Sequence, residues 1–112
     1  IILQKEITYD WTDTGETLYY KAQREIVRIF CDAYPKLRIL DIPRQHQNLS
    51  SGSFHRATEL DQASHIDLER EYSARLLLNL LRARTFSGHP ACWFEDNDEK
   101  YEVRVEIKRI NK

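Results

Sequence analysis

Four histidines and two cysteines offer the first chemistry to test. His46, His55 and His65 stand 9 and 10 residues apart, and His89-Pro90-Ala91-Cys92 sets an imidazole three residues ahead of a thiol. An imidazole and a thiolate on one turn would make half of a tetrahedral zinc site. The other half is lacking, because the spacing of the remaining histidines matches no tight ligand motif, so we assign no metal. Ser50, Ser51 and Ser53 lie near His55. No strand-turn-helix elbow of the kind that activates a serine frames them. Neither Cys31 nor Cys92 falls at a helix start that would lower a thiol pKa. We therefore assign no catalytic residue and no cofactor, and an enzyme is the less favoured class.

One carboxylate pattern remains open. Asp96 and Asp98 precede Glu106-Ile107-Lys108 by a strand's length. Two acids on neighbouring strands can hold a magnesium ion at a phosphate, and a lysine can stabilise the charge that develops there. The pattern loosely resembles the Asp…Glu-x-Lys signature of the PD-(D/E)xK nuclease families, which implies metal-dependent cleavage. The competing reading is that Asp96, Asp98, Glu106 and Lys108 are cross-strand pairs on a wet sheet face.

Charge adds a second signal. Seventeen Lys and Arg oppose eighteen Asp and Glu, for a net charge of -1. That balance excludes a uniformly basic nucleic-acid binder. It hides blocks, however. Residues 33–58 carry Lys36, Arg38, Arg44 and Arg56 against Asp41 alone, residues 59–71 are acidic, and residues 72–92 hold Arg75, Arg82 and Arg84 without an acid. Arg44, Gln45, His46, Arg56 and Arg75 could together follow a phosphate backbone. Arg82 and Arg84 could face a protein partner of complementary charge.

These residues need elements to carry them. Residues 1–11 alternate Ile1, Leu3, Ile7, Tyr9 and Trp11 with polar residues, which predicts a half-buried strand. Asp13 with Glu16 suggests a capping box for a helix over residues 17–34, ended by Pro35. Residues 36–42 read as a strand and residues 44–64 as a long flexible loop holding a short helix over 54–62. Ser64 and Asp67 open a second long helix to Phe86, with acids in its first turns and Arg82 and Arg84 in its last. Residues 91–95 and 99–110 form a hairpin around Asp96-Asn97-Asp98.

The order β-α-β-α-β-β predicts an α/β (α+β) two-layer sandwich, with a mixed four-stranded sheet and both helices on one face. That layer order is similar to the C-terminal domain of translation initiation factor 3, the Alba chromatin proteins and the small sulfur-carrier proteins, none of whose motifs is present. The alternative is a winged helix with residues 17–34, 54–62 and 66–86 as helices and the hairpin as wing.

Hydrophobic residues make up 41% of 112, enough for one compact domain over residues 1–112. The chain starts with Ile and holds no Met, so we read it as a domain excised from a larger protein. Two cysteines make no disulfide framework, which favours an intracellular setting, cytoplasm or nucleus, and no apolar run could span a membrane. The preferred function is a non-catalytic protein-interaction or assembly domain whose partner is another protein or the rest of its parent chain. The alternatives are an RNA- or DNA-binding domain using the local basic residues, and a metal-dependent nuclease-like domain.

Overall fold

Three helices and one hairpin organise the backbone of the computed structural model, which describes residues 1–111. In chain order they are α1 (Gly15–Arg38), two short 3-10 turns (Leu49–Ser51 and Ala57–Glu59), α2 (Leu60–Ala63), α3 (Ala74–Arg84), β1 (Cys92–Asp96) and β2 (Glu99–Val103). The contacts divide the chain into two units. One comprises Ile1–Thr8 and Tyr19–Phe54, the other Tyr9–Leu18 and the chain from His55 onward.

The mixed α/β character is as read from the sequence, but the four-stranded sheet is not present among the described residues. The sheet has two antiparallel strands, β1 and β2. Residues 1–10, expected as a strand, belong to no helix or strand. The second expected strand, 36–42, is replaced by the end of α1. Pro35 lies inside that helix and removes one backbone donor. The loss is tolerable because the proline sits in the last turns and the carbonyl it strands belongs to exposed Cys31, where water can serve it.

A left-handed residue then stops α1. Leu40 has φ 56°, its N–H bonds the Leu37 carbonyl at 3.1 Å, and Asp41 N–H reaches back to Lys36 at 3.1 Å. This is the paired bonding of a Schellman cap, with leucine where glycine is usual. The missing glycine is why the sequence concealed it.

The second long helix is also shorter than expected. It begins at Ala74, where the Ser73 hydroxyl accepts the Leu76 N–H at 3.1 Å. Asp67, Glu69 and Glu71 therefore precede the helix. Asp67 accepts the Glu69 N–H in a local turn, while the Ser64 hydroxyl donates to the Leu60 carbonyl at the end of α2. Small polar side chains satisfied the backbone locally and outcompeted helix extension.

The hairpin matches its sequence signature. Asn97 and Asp98 take φ of 50° and 63°, as a tight two-residue turn between right-twisted strands requires. Cys92 pairs with Val103, Phe94 with Tyr101 and Asp96 with Glu99. Beyond β2, Val105 and Ile107 keep the half-buried alternation without a strand partner.

Among the described residues, every buried one lies in the second unit: Leu81, Ala91 and Cys92, with Asp13 and Ser64 as polar members. In the first unit, Ile7, Ile29, Ala33 and Ile42 are at most half-buried.

Candidate functional site

The polar residues of the second unit are committed to holding it together. Thr14 and Thr17 cap the start of α1 reciprocally, each hydroxyl accepting the other's N–H, at 3.3 and 2.9 Å. Asp13 accepts from the Thr17 hydroxyl at 2.8 Å and from the Asp10 N–H at 2.9 Å. The expected box of Asp13 and Glu16 is thus displaced by one residue. Gly15 lies so close to the Ala83 carbonyl that no Cβ fits between them.

The arginines singled out from the sequence are drawn into the same framework. Arg82 donates to Asn79 at 3.0 Å and to the Asp10 carbonyl at 2.7 Å, and its guanidinium lies 4.6 Å from the centre of the Trp11 ring. Arg84 donates to the Ser64 hydroxyl at 2.7 Å and to the Pro90 carbonyl at 3.0 Å. The Arg75 guanidinium also lies over the Trp11 ring, 5.2 Å from its centre. Arg56 precedes the second 3-10 turn. Arg44, Gln45 and His46 belong to the first unit, where the Gln45 N–H and carbonyl pair with the carbonyl and amino group of Ile1, both at 2.9 Å.

The candidate metal and nuclease residues do not converge. No group of three or more His, Cys, Asp or Glu among the described residues could hold a metal ion. Lys108 pairs with Glu106 at 3.3 Å on an exposed stretch. His65 stacks on Trp93 with ring centres 4.5 Å apart, and His55 meets Glu59 at 3.1 Å. Cys92 is fully buried, and burial pushes its thiol pKa up, the opposite of a nucleophile's need.

Exposed apolar surface is the larger feature, and the sequence reading missed it. Leu68 and Leu76, both within the long helix expected to Phe86, are 53% and 52% exposed; Leu81 alone on α3 is buried. On the hairpin, Tyr101 stacks against Phe94 at 5.3 Å yet remains substantially exposed. Its hydroxyl donates to Glu99 at 2.6 Å, and that bond raises its pKa. β2 has β1 on one side and no strand on the other among the described residues. A two-stranded sheet with an open edge is marginal alone and is a template for pairing.

The exposed side chains give the scale: Ile26, Phe30, Leu60, Leu68, Leu76 and Ile110 are all more than two-fifths exposed, whereas the buried hydrophobic residues among those described are Leu81, Ala91 and Cys92. Periodicity could not reveal this, since it says which face is apolar but not whether anything covers it.

Comparison with known proteins bears on what covers it. The family described as the N-formyltransferase dimerization C-terminal domain matches residues 59–109. A 4-N formyltransferase from Francisella tularensis superposes with a TM-score of 0.88 at 24% identity, over 97% of this chain and 45% of its own. A sugar N-formyltransferase from a Shewanella species gives 0.83 at 18% identity, over 98% and 45%. A third structure, from Mycobacterium tuberculosis, gives 0.87 at 20% identity, over 99% and 48%. No curated protein matches the sequence. The chain thus spans about half the length of these structures and shares the fold of that half.

These matches overturn the function read from the sequence. They point to the C-terminal region of formyltransferases, and to neither a nucleic-acid-binding domain nor a nuclease-like one. Of the preferred reading, the protein partner is the part that a dimerization-domain match supports. The physical reason is local: the basic residues are divided between two units, and the hairpin acids serve pairing and turn formation. A nucleic-acid partner has no support. Among the described residues, no helix is long and apolar enough to cross a membrane.

Proposed function

We propose that the chain is the C-terminal part of a sugar N-formyltransferase, and that its second unit joins two copies of the parent enzyme. The observation that carries this reading is the coincidence of the dimerization-domain match at residues 59–109 with an exposed, half-paired hairpin. Tyr101 and Phe94 supply an aromatic cross-strand pair, the kind of anchor that dominates interface energetics. The open edge of β2 supplies unpaired backbone donors and acceptors. A second copy of the same hairpin satisfies both, since a two-fold contact needs only a self-complementary patch. Formyl transfer itself belongs to the parent enzyme; the part played here is to assemble it.

Sedimentation velocity on the 112-residue chain tests this. We expect a dimer at micromolar concentration, and Tyr101→Asp should raise the dissociation constant at least about tenfold. A chain that stays monomeric, or a dimer indifferent to Tyr101→Asp, would remove the reading.

A further inference from the structure

The return strand of the hairpin and its extension carry a charge pattern that pairing within one chain does not explain. Every second residue is charged: Asp98, Lys100, Glu102, Arg104, Glu106 and Lys108, with Val103 at the centre. Turned end for end about Val103, each charge meets its opposite. Glu102 falls on Arg104, Lys100 on Glu106 and Asp98 on Lys108. β1 faces only the first part of this run, because its register ends at Cys92 opposite Val103. Glu106 and Lys108 lie beyond it, paired with each other at 3.3 Å and with side chains 76% and 75% exposed.

Backbone geometry selects the same centre. Asp96 and Glu99 close a two-residue turn, so residues 99, 101 and 103 exchange backbone bonds with β1. Residues 100 and 102 then turn their N–H and C=O groups to the open edge. The Val105 N–H still points inward, to the Thr85 hydroxyl at 3.2 Å, which leaves 104 and 106 facing out. A two-fold antiparallel ladder along that edge must match outward residues with outward residues, so it is centred on a whole residue. Centred on Lys100 or Glu102, it sets like charges directly opposite, which is destabilising. Centred on Tyr101, it runs Glu106 past the acidic turn Asp96-Asn97-Asp98. Centred on Val103, it makes all three pairs complementary and lays Tyr101 beside the second copy's Val105.

We propose that residues 98–108 of two copies pair antiparallel about Val103, and that their charge pattern fixes the register. The inference rests on the dimer reading above and adds the alignment of its strands. Glu102 and Arg104 already bond at 2.8 Å within one copy, and Arg104 also donates to the Phe86 and His89 carbonyls, both at 2.6 Å. The central charges are therefore held in place before a second copy arrives. Such pairs add little affinity one by one; they decide alignment, because moving the centre by one residue replaces attraction with repulsion.

Charge reversal tests the register by sedimentation of the 112-residue chain at low salt. Glu106→Lys sets a lysine against the second copy's Lys100, and Lys100→Glu sets a glutamate against its Glu106. Each variant alone should dimerise about tenfold more weakly than the unaltered chain. Mixed one to one, they should form a heterodimer of unaltered affinity, since both pairs are then opposite in sign. Lys100 also rests 3.6 Å from the centre of the Trp93 ring, so circular dichroism must show that its variant is folded. Glu106 lies on an exposed stretch and carries the test without it. A Glu106→Lys dimer of unaltered affinity would overturn the proposal by placing residues 104–108 outside the contact. A tighter one would overturn it in favour of the Tyr101 centre, where the new lysine nears the acidic turn. Two folded variants that form no heterodimer would also overturn it. A monomeric unaltered chain is a different failure: it removes the dimer reading, and the register with it.

Discussion

The two units of this chain are built to different standards of completion. The second buries Leu81, Ala91 and Cys92, threads arginines through its loops and satisfies Asp13 and Ser64 in the interior. In the first, an ion pair between Lys5 and Glu25 at 2.6 Å, a bond from Lys21 to the Thr8 carbonyl at 3.3 Å and the Ile1–Gln45 pairing hold its parts together with no buried side chain. Polar links on a surface orient segments but contribute little net stability, whereas excluding apolar area from water is what drives folding. The difference teaches where the chain is self-sufficient and where it depends on other parts.

Substitutions can break or sharpen that contrast. The largest effect is expected from Gly15→Ala, whose added Cβ meets the Ala83 carbonyl. Neither backbone can yield easily, so urea denaturation should show a loss of about 3 kcal/mol. Leu81→Ala, which opens a cavity in the second unit, should cost roughly 2 to 3 kcal/mol by the same measurement. Phe30→Ala removes a larger side chain from α1, yet in the 112-residue chain it should shift stability by less than about 0.5 kcal/mol, because that ring is already solvated. A cost for Phe30→Ala equal to that for Leu81→Ala would erase the distinction between the units.

The smallest effect concerns pH. Glu102 accepts the Ala91 N–H at 3.2 Å and pairs with Arg104 at 2.8 Å, and these contacts, the first above all, hold its pKa below the usual carboxylate range. A depressed folded-state pKa stabilises at neutral pH, and the contribution disappears as pH falls from the ordinary glutamate value, about 4.3, through the lower folded one. Thermal melts between neutral pH and that acid range should therefore show a loss that Glu102→Gln reduces. Because the site is exposed, the change is modest.

Much of the local structure was legible in the residue order. The Asp96-Asn97-Asp98 run announced the hairpin, since short polar side chains tolerate the left-handed backbone that such turns need. The capping residues after Trp11 announced the helix that became α1, although the cap itself fell to Thr14 and Thr17. Other boundaries were not legible. Leu40 ends α1 in a conformation that leucine rarely adopts, so no residue type marked the stop. Ser64 and Asp67 looked like a helix start, but their side chains bond to α2 and to a turn. The basic residues formed a plausible binding set along the chain. Only coordinates could reveal that Arg82 and Arg84 serve backbone carbonyls and a buried serine, or that Arg44 and Arg75 belong to different units.

By itself the sequence determined the helix-then-hairpin order, the neutral charge total and the apolar faces, because these depend on neighbours within a few residues. Tertiary structure decided which of those faces are covered. Burial depends on contacts between distant segments, and here it is complete around Cys92 and absent around Phe30. An apolar stripe reads the same whether it packs on its own chain, on a second copy or on a missing layer. The area left open to water tells the first case from the other two.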